Sequence, residues 1–398
     1  RRSSDLAFDK TNSTGETLAG SIAGCDVGCY EAWQKCTGDP SVIVAVLDDG
    51  VMYTHPDLAG NIWVNDKEEL YAGTDADGNG YKDDRYGYNF VHNTAAISWT
   101  DVNDIGHGTH VSGTIAAMNN GYGVCGIAGG DGTKDSGVKI MICQVFAGDN
   151  SVSLNGEAQA IKYAADNGAV ILQCSWGYNS SEANEVEGYS PGPATVKEWA
   201  DTYPLEKEIL DYFINNAGSP NGVIDGGIAI FASGNEYAGS ASYPGAYSKC
   251  VTVSAVAADF TPASYTNFGP EVDISAPGGD TEYYNAIGEE DNEFWENNEV
   301  SGSILSTMIR NGSPAYGYMD GTSMACPHVS GVAALGLSYA VQQRRHFKAS
   351  EFVALLKESV KPVDNWYSGG KKKTYYRNHN SPAAAPSVME LSKYIGKM

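Results

Sequence analysis

The chain has 398 residues, 42% of them apolar, and its 25 basic against 49 acidic residues give a formal charge of −24. That length and apolar share support a large core. The acidic balance argues against nucleic acid or an anionic membrane as a partner and suits the binding of cations, calcium included. No run approaches the ~20 consecutive apolar residues of a membrane span.

In chain order, the first 30 residues read as an N-terminal arm, polar and without periodicity as far as residue 24. No signal peptide is visible at Arg1, so any targeting segment is expected to lie outside this sequence or to have been removed. Cys25, Cys29 and Cys36 follow closely, an odd number. One disulfide among them is compatible with the spacing, while zinc lacks a nearby histidine or fourth cysteine. The stretch C-Y-E-A-W-Q-K-C predicts a short helix. Residues 31–398 then read as one domain in which strands and helices alternate.

Apolar strand runs are predicted at 41–48, 138–146, 169–176, 227–235 and 250–257. Helical patterns fall after residue 109, at 155–168, at 196–213 and in the long run after Ser323. Unbroken apolar strands separated by helices predict an α/β fold, doubly wound, with a mainly parallel central sheet covered on both faces. Cys143, Cys174, Cys250 and Cys326 lie in apolar runs and read as buried free thiols. The C-terminal K-K-K-T-Y-Y-R-N-H-N-S-P reads as a surface loop before a last short helix, S-V-M-E-L-S-K-Y-I.

In an open parallel sheet, sites form at the carboxyl ends of strands. The first predicted strand ends in Asp48, the third runs into Ser175-Trp176-Gly177, and the fourth ends in Gly234-Asn235. The stretch G-T-S-M-A-C-P-H-V-S-G places Ser323 at a helix mouth. Pro327 fits only near a helix start, because it has no N–H, and Gly321 permits a tight turn before it. Free N–H groups and the helix dipole there suit a developing negative charge; simple N-capping by Ser323 is the alternative reading. A serine nucleophile needs a base, and the base an orienting carboxylate. G-H-G-T-H-V-S-G-T supplies His107 between two glycines at another helix start. His110, one turn on, reads as a packed helix residue. V-A-V-L-D-D-G supplies Asp48 and Asp49.

Asp, His, Ser is the chain order of subtilisin. The three segments, with F-A-S-G-N-E, S-Y-P-G-A-Y and C-S-W-G, resemble the subtilases, the subtilisin-like serine peptidases, over roughly residues 31 to 345. The resemblance implies Ser323 as nucleophile, His107 as general base and then acid, and Asp48 as the carboxylate that orients His107. It implies Asn235 as the side-chain oxyanion donor; read alone, Asn235 is a turn residue after a strand. It implies that Ser175, Trp176 and Gly177 pair with an extended substrate and wall the primary specificity pocket. Ser242, with Tyr243 and Pro244, would form the far wall, and the loop at 147–151 the opposite edge. Asp49 takes a small polar position and reads as structural. Glu236 reads as a solvated rim charge rather than a selector of basic side chains.

The loop G-T-D-A-D-G-N-G-Y-K-D-D spaces oxygen ligands alternately: Asp75, Asp77, Asn79 and the Tyr81 carbonyl, with Asp83 or Asp84 to close. It lacks the bidentate glutamate of a full EF-hand, and an Asp/Gly-rich turn is the plainer reading. Similar inserts in subtilases imply structural calcium. The family's stabilising calcium loop is matched by Asp57 and Asn120, with carbonyls of Met118, Tyr122 and Val124.

Together these expectations describe a secreted or cell-surface endopeptidase acting through an acyl-enzyme, stabilised by calcium. Protein or peptide substrates are expected, with an N-terminal propeptide absent from this chain and further residues beyond Met398. Residues 178–226 read as an insert that shapes access to the cleft. The rivals are a catalytically silent binding module of the same fold and a narrowly specific processing enzyme or exopeptidase.

Overall fold

Strand β1 (Ile43–Asp48) is buried along its whole length, as its unbroken apolar run requires. The computed structural model describes residues 24–183, 188–280 and 302–360. In chain order the further strands are β2 (Gly87–Asn89), β3 (Lys139–Gln144), β4 (Phe146–Ala147), β5 (Asn150–Ser151), β6 (Ile171–Cys174) and β7 (Ile224–Asp225). Then come β8 (Ile228–Ala232), β9 (Val251–Val256), β10 (Ile274–Pro277), β11 (Ile304–Arg310), β12 (Ser313–Met319) and β13 (Phe347–Lys348). Seven form one parallel sheet in the order β10-β9-β8-β6-β1-β3-β2.

Both faces of this sheet are covered. Val44, Val46, Ile140 and Ile142 point into one core, shared with the helices His107–Ala116 and Thr322–Gln342. Ala45, Leu47, Met141 and Cys143 point into the other, with Tyr163, Trp199, Leu210 and Phe213 from the helices Leu154–Asp166, Val196–Thr202 and Pro204–Asn216. The period-two alternation of the strands therefore exists, but it sorts apolar residues between two apolar faces and leaves no polar trace in the sequence. Thr322–Gln342 is long and apolar enough to cross a membrane, yet 78% of its most apolar stretch is buried inside the protein, so it is a core helix.

The five predicted strand runs are strands, each shorter than its apolar run. The pattern at 196–213 divides into two helices at Tyr203-Pro204, because Pro204 fits the first position of the second helix and not the interior of one long helix. Other strands carried no readable signal. β2 is only three residues long, β10 contains Ser275 and Pro277, and β11–β12 form a separate antiparallel hairpin. Cys36, Cys143, Cys174, Cys250 and Cys326 are buried free thiols; the Cys25 sulfur bonds the Ala257 carbonyl at 3.2 Å. Most of the N-terminal arm and the loop and last helix expected after residue 370 lie outside the described residues.

β1 is where the strand order turns. The chain builds β2 and β3 on one side of it and β6, β8, β9 and β10 on the other. Such a switch point opens a crevice at the carboxyl ends of the strands. Asp48 ends β1, and Ser175 follows the last residue of β6.

Candidate active site

Asp48 is buried, and its Oδ1 lies 2.7 Å from His107 Nδ1. The same oxygen accepts the Asp49 N–H at 2.8 Å. Asp49 turns the other way and caps the histidine helix: its two carboxylate oxygens accept the N–H groups of His107 at 3.0 Å and Gly108 at 2.5 Å. It thereby satisfies two of the four donors a helix start leaves unpaired. Gly108 is required here, since a Cβ at that position would stand 2.7 Å from Asp49 Oδ1. Burial, followed by the Asp48 charge, pushes the Asp49 carboxyl up to about 7. Burial alone would lower the His107 imidazole, but the charge and hydrogen bond of Asp48, with Asp49 behind, outweigh it and raise the ring to about 9. His110 is fully buried on Ile304 O at 2.9 Å, and burial lowers it to about 3, as befits a packing residue.

The serine helix begins at Thr322. Gly321 before it has φ 152° and ψ 162°, a conformation essentially confined to glycine. Asn235 is exposed in the cleft, and its Oδ1 accepts both the N–H and the hydroxyl of Thr322, each at 2.9 Å. Those two bonds fix the amide's orientation and leave Nδ2 free to donate elsewhere. A Cβ on Gly321 would lie 3.4 Å from Ser323 N and 3.7 Å from Asn235 Nδ2. The two donors therefore border one small space, which Gly321 keeps open.

Pro327 acts four residues on. An ordinary residue there would donate its N–H to Ser323 O; proline cannot. The freed carbonyl instead accepts Ser175 Oγ at 2.8 Å, while Ser323 Oγ donates to Ser175 O at 3.1 Å. The serine helix is thus joined reciprocally to the strand segment beside the cleft. In the β1–β6 register Val46 is level with Gln173, so two residues on Asp48 is level with Ser175, about 5 Å away across neighbouring strands. Trp176 Nε1 donates to Leu47 O at 2.8 Å and ties the same two strand ends. The Ser323 hydroxyl is turned toward Ser175 rather than His107, and a rotation about its Cα–Cβ bond redirects it.

Ser175, Trp176, Gly177 and Ser242 line a cavity of about 310 Å³ beside Ser323 and Asn235. Tyr189, within residues 178–226, also borders it. Tyr243 stands outside this lining; its carbonyl accepts the Tyr178 N–H at 2.8 Å, and its ring stacks on Trp199 at 5.3 Å. Glu236 is half-buried on the cavity wall, bonded to Asn267 Nδ2, and burial raises its carboxyl above the ordinary range. It is held by the protein rather than standing free on the rim. The loop at 147–151 forms the β4–β5 hairpin, pinned by Gly148 N to Asp104 Oδ1 at 2.8 Å.

In the Asp-rich loop, Asp75, Asp77, Asn79 and Tyr81 are half-buried and alternate with exposed residues. Asp77 and Asp84 meet Glu68, with ligand oxygens all within 4.8 Å of one another. This acidic cluster, buried at Glu68 and Asp84, can hold a metal ion. An all-carboxylate donor set suits a hard divalent cation. Asp75 instead accepts the amides of Asn79 at 3.0 Å and Gly80 at 2.9 Å, and Asn79 Oδ1 accepts Tyr81 N at 2.7 Å. Glu68 escaped the sequence reading because it precedes the loop; the acidic D-K-E-E-L stretch was its only signal. At the other predicted loop, Asp57 accepts Asn120 Nδ2 at 2.8 Å and Val124 N at 3.0 Å. Asn120 Oδ1 accepts Tyr122 N at 2.9 Å, so these groups meet one another through N–H donors.

A carboxylate–imidazole pair beside a helix-mouth serine, with two convergent N–H donors, is equipped for acyl transfer. The subtilase family model matches residues 39–380, and the chain belongs to the subtilase family. It is 32% identical to subtilisin Savinase of Lederbergia lenta, over 77% of this chain and 82% of that protein. It is 31% identical to the major intracellular serine protease of Bacillus subtilis, over 84% of this chain and 80% of that protein. It is 29% identical to the thermophilic serine proteinase of a Bacillus species, over 86% of this chain, and spans 63% of that protein's length. The chain spans 50% of the halolysin of Haloferax mediterranei and 48% of a halolysin-like extracellular serine protease of Natrialba magadii. The relatives thus include extracellular and intracellular forms. Among solved structures, a protease of Pseudoalteromonas arctica aligns with TM-score 0.57 and 26% identity, covering 85% of this chain and 87% of that one.

Proposed function

We propose that the protein is a serine endopeptidase that cleaves extended peptide chains through an acyl-enzyme. The observation that carries this reading is the 2.7 Å Asp48–His107 pair beside a serine whose helix mouth offers two oxyanion donors. Ser323 Oγ attacks the scissile carbonyl and His107 Nε2 takes its proton. Asp48 holds the ring in the tautomer that leaves Nε2 basic and then stabilises the imidazolium. The carbonyl oxygen, now an oxyanion, accepts hydrogen bonds from Ser323 N and Asn235 Nδ2. Collapse expels the amine, which takes the proton back from His107. Water then repeats the sequence on the ester. Ser175, Trp176 and Gly177 offer backbone groups to an extended substrate, with Ser242 walling the primary pocket.

Calcium is the metal we assign to Glu68, Asp77 and Asp84; the ion would fasten the loop at 73–84 to the body. Such a cation and an acidic surface fit work outside the cytoplasm, where calcium is plentiful. The test of the activity is intact mass after exposure to a serine-directed fluorophosphonate, alongside Ser323→Ala. One adduct on the parent and none on the variant is expected. No adduct on folded, calcium-loaded protein would turn the reading to a silent binding module.

A further inference from the structure

A second cavity, of about 290 Å³, opens on the other side of the Trp176–Tyr178 segment. Trp176, Gly177 and Tyr178 border both this cavity and the primary one. Its walls are aromatic: Phe146 and Trp176 meet edge to face at 6.2 Å, and Tyr178 and Tyr203 stack at 4.3 Å. Two glutamates stand among these rings, Glu157 from the helix Leu154–Asp166 and Glu206 from Pro204–Asn216. None of the lining residues is basic.

The two acids face each other, and Glu206 has further partners. Glu206, 1% exposed, accepts Tyr178 OH at 3.2 Å and the Trp199 indole N–H. Glu157, 8% exposed, is hydrogen-bonded to the Glu206 carboxyl group, one proton being held between the two acids. Two facing carboxyl groups at this depth cannot both carry charge unless a cation stands between them; otherwise they share a proton. Burial, followed by the Glu206 charge, pushes the Glu157 carboxyl up to about 9, so the pair by itself retains a proton at neutral pH. An incoming cation would displace that proton to solvent and donate to both carboxylates in its place. Aromatic walls suit the apolar stem and the charged head of such a side chain.

We infer that Glu157 and Glu206 select a basic side chain, arginine above all, of the bound peptide at a position on the amino side of the scissile bond. The inference rests on the peptidase reading for the direction of the peptide. The departing amine must stay beside His107, so the amino-side residues run along Ser175 to Tyr178, away from Ser323. Side chains of an extended chain alternate, so neighbours of the residue in the primary pocket can reach the opposite side. Arginine's planar fork matches two facing carboxyl groups better than the lysine ammonium does.

The test measures binding, not turnover. Paired peptides differing only in arginine or leucine at each amino-side position are titrated into Ser323→Ala by calorimetry. At one position arginine is expected to bind roughly 10- to 100-fold more tightly, as a charge-assisted hydrogen bond supports. Glu157→Gln and Glu206→Gln in the same background should each bring that ratio toward one. The ratio is internal to each preparation, so partial misfolding does not imitate the result. Equal binding of the two peptides at every position overturns the inference, as does a preference that survives both glutamine variants. Failure of the peptidase reading is recognised separately, by the absence of a fluorophosphonate adduct on the parent.

Discussion

Asp49 shows how one side chain can serve structure and chemistry together. Its two oxygens cap the histidine helix, yet its charge also lies against the His107 ring. A general base works only when neutral, and His107 is raised to about 9, so kcat/KM should climb with pH toward that value. Asp49→Asn removes a charge that favours the imidazolium, and the rising limb should move to lower pH; an unmoved limb would make Asp49 a cap and nothing more. Asn235 makes a different kind of contribution. Its oxygen is already spent on Thr322, so Asn235→Ala loses the one donor it has to offer. Turnover in single-turnover kinetics should fall about 10²–10³-fold, with KM nearly unchanged, the pattern of a bond made only in the transition state.

At the scale of an element, the serine helix is positioned by what its first two turns lack. Pro327 lacks an N–H and so releases Ser323 O to Ser175. Gly321 lacks a Cβ and so leaves room beside Ser323 N. Gly321→Ala should cost about 1–3 kcal/mol in denaturant unfolding, the strain of a side chain at that φ and ψ. Activity should fall further than the stability loss explains, because the methyl enters the space between the two donors. Equal losses in both would place the effect in folding alone. The glycine and proline were legible as marks of a helix start. What the freed carbonyl bonds was not, since Ser175 is 148 positions away.

For the whole molecule, the decisive feature is the acidic balance of −24 and where it is concentrated. Glu68, Asp77 and Asp84 crowd three carboxyl groups together, and a divalent ion would offset their repulsion. Chelation should lower the melting temperature; at ligand 100 times Kd, the bound ion is worth about 2.7 kcal/mol. Glu68→Gln should weaken that response while leaving the Asp48–His107 pair untouched. A melting temperature indifferent to chelator would remove calcium from the account.

The sequence by itself determined the fold class and the order of the Asp, His and Ser segments. Apolar runs of strand length, glycines beside His107 and Ser323, and Pro327 are local signals, and each reflects chemistry within a few residues. It also marked Asp77 and Asp84, because both lie in one Asp-rich stretch. Only the tertiary structure decided which distant side chains stand together. Glu68 joins the loop from outside it, Asp49 caps a helix that begins 58 residues later, and Glu157 and Glu206 meet from two helices. Such groups carry no common spacing. The physical reason is that a parallel sheet gathers its strand ends by long crossovers, so neighbours in the crevice are strangers in the chain.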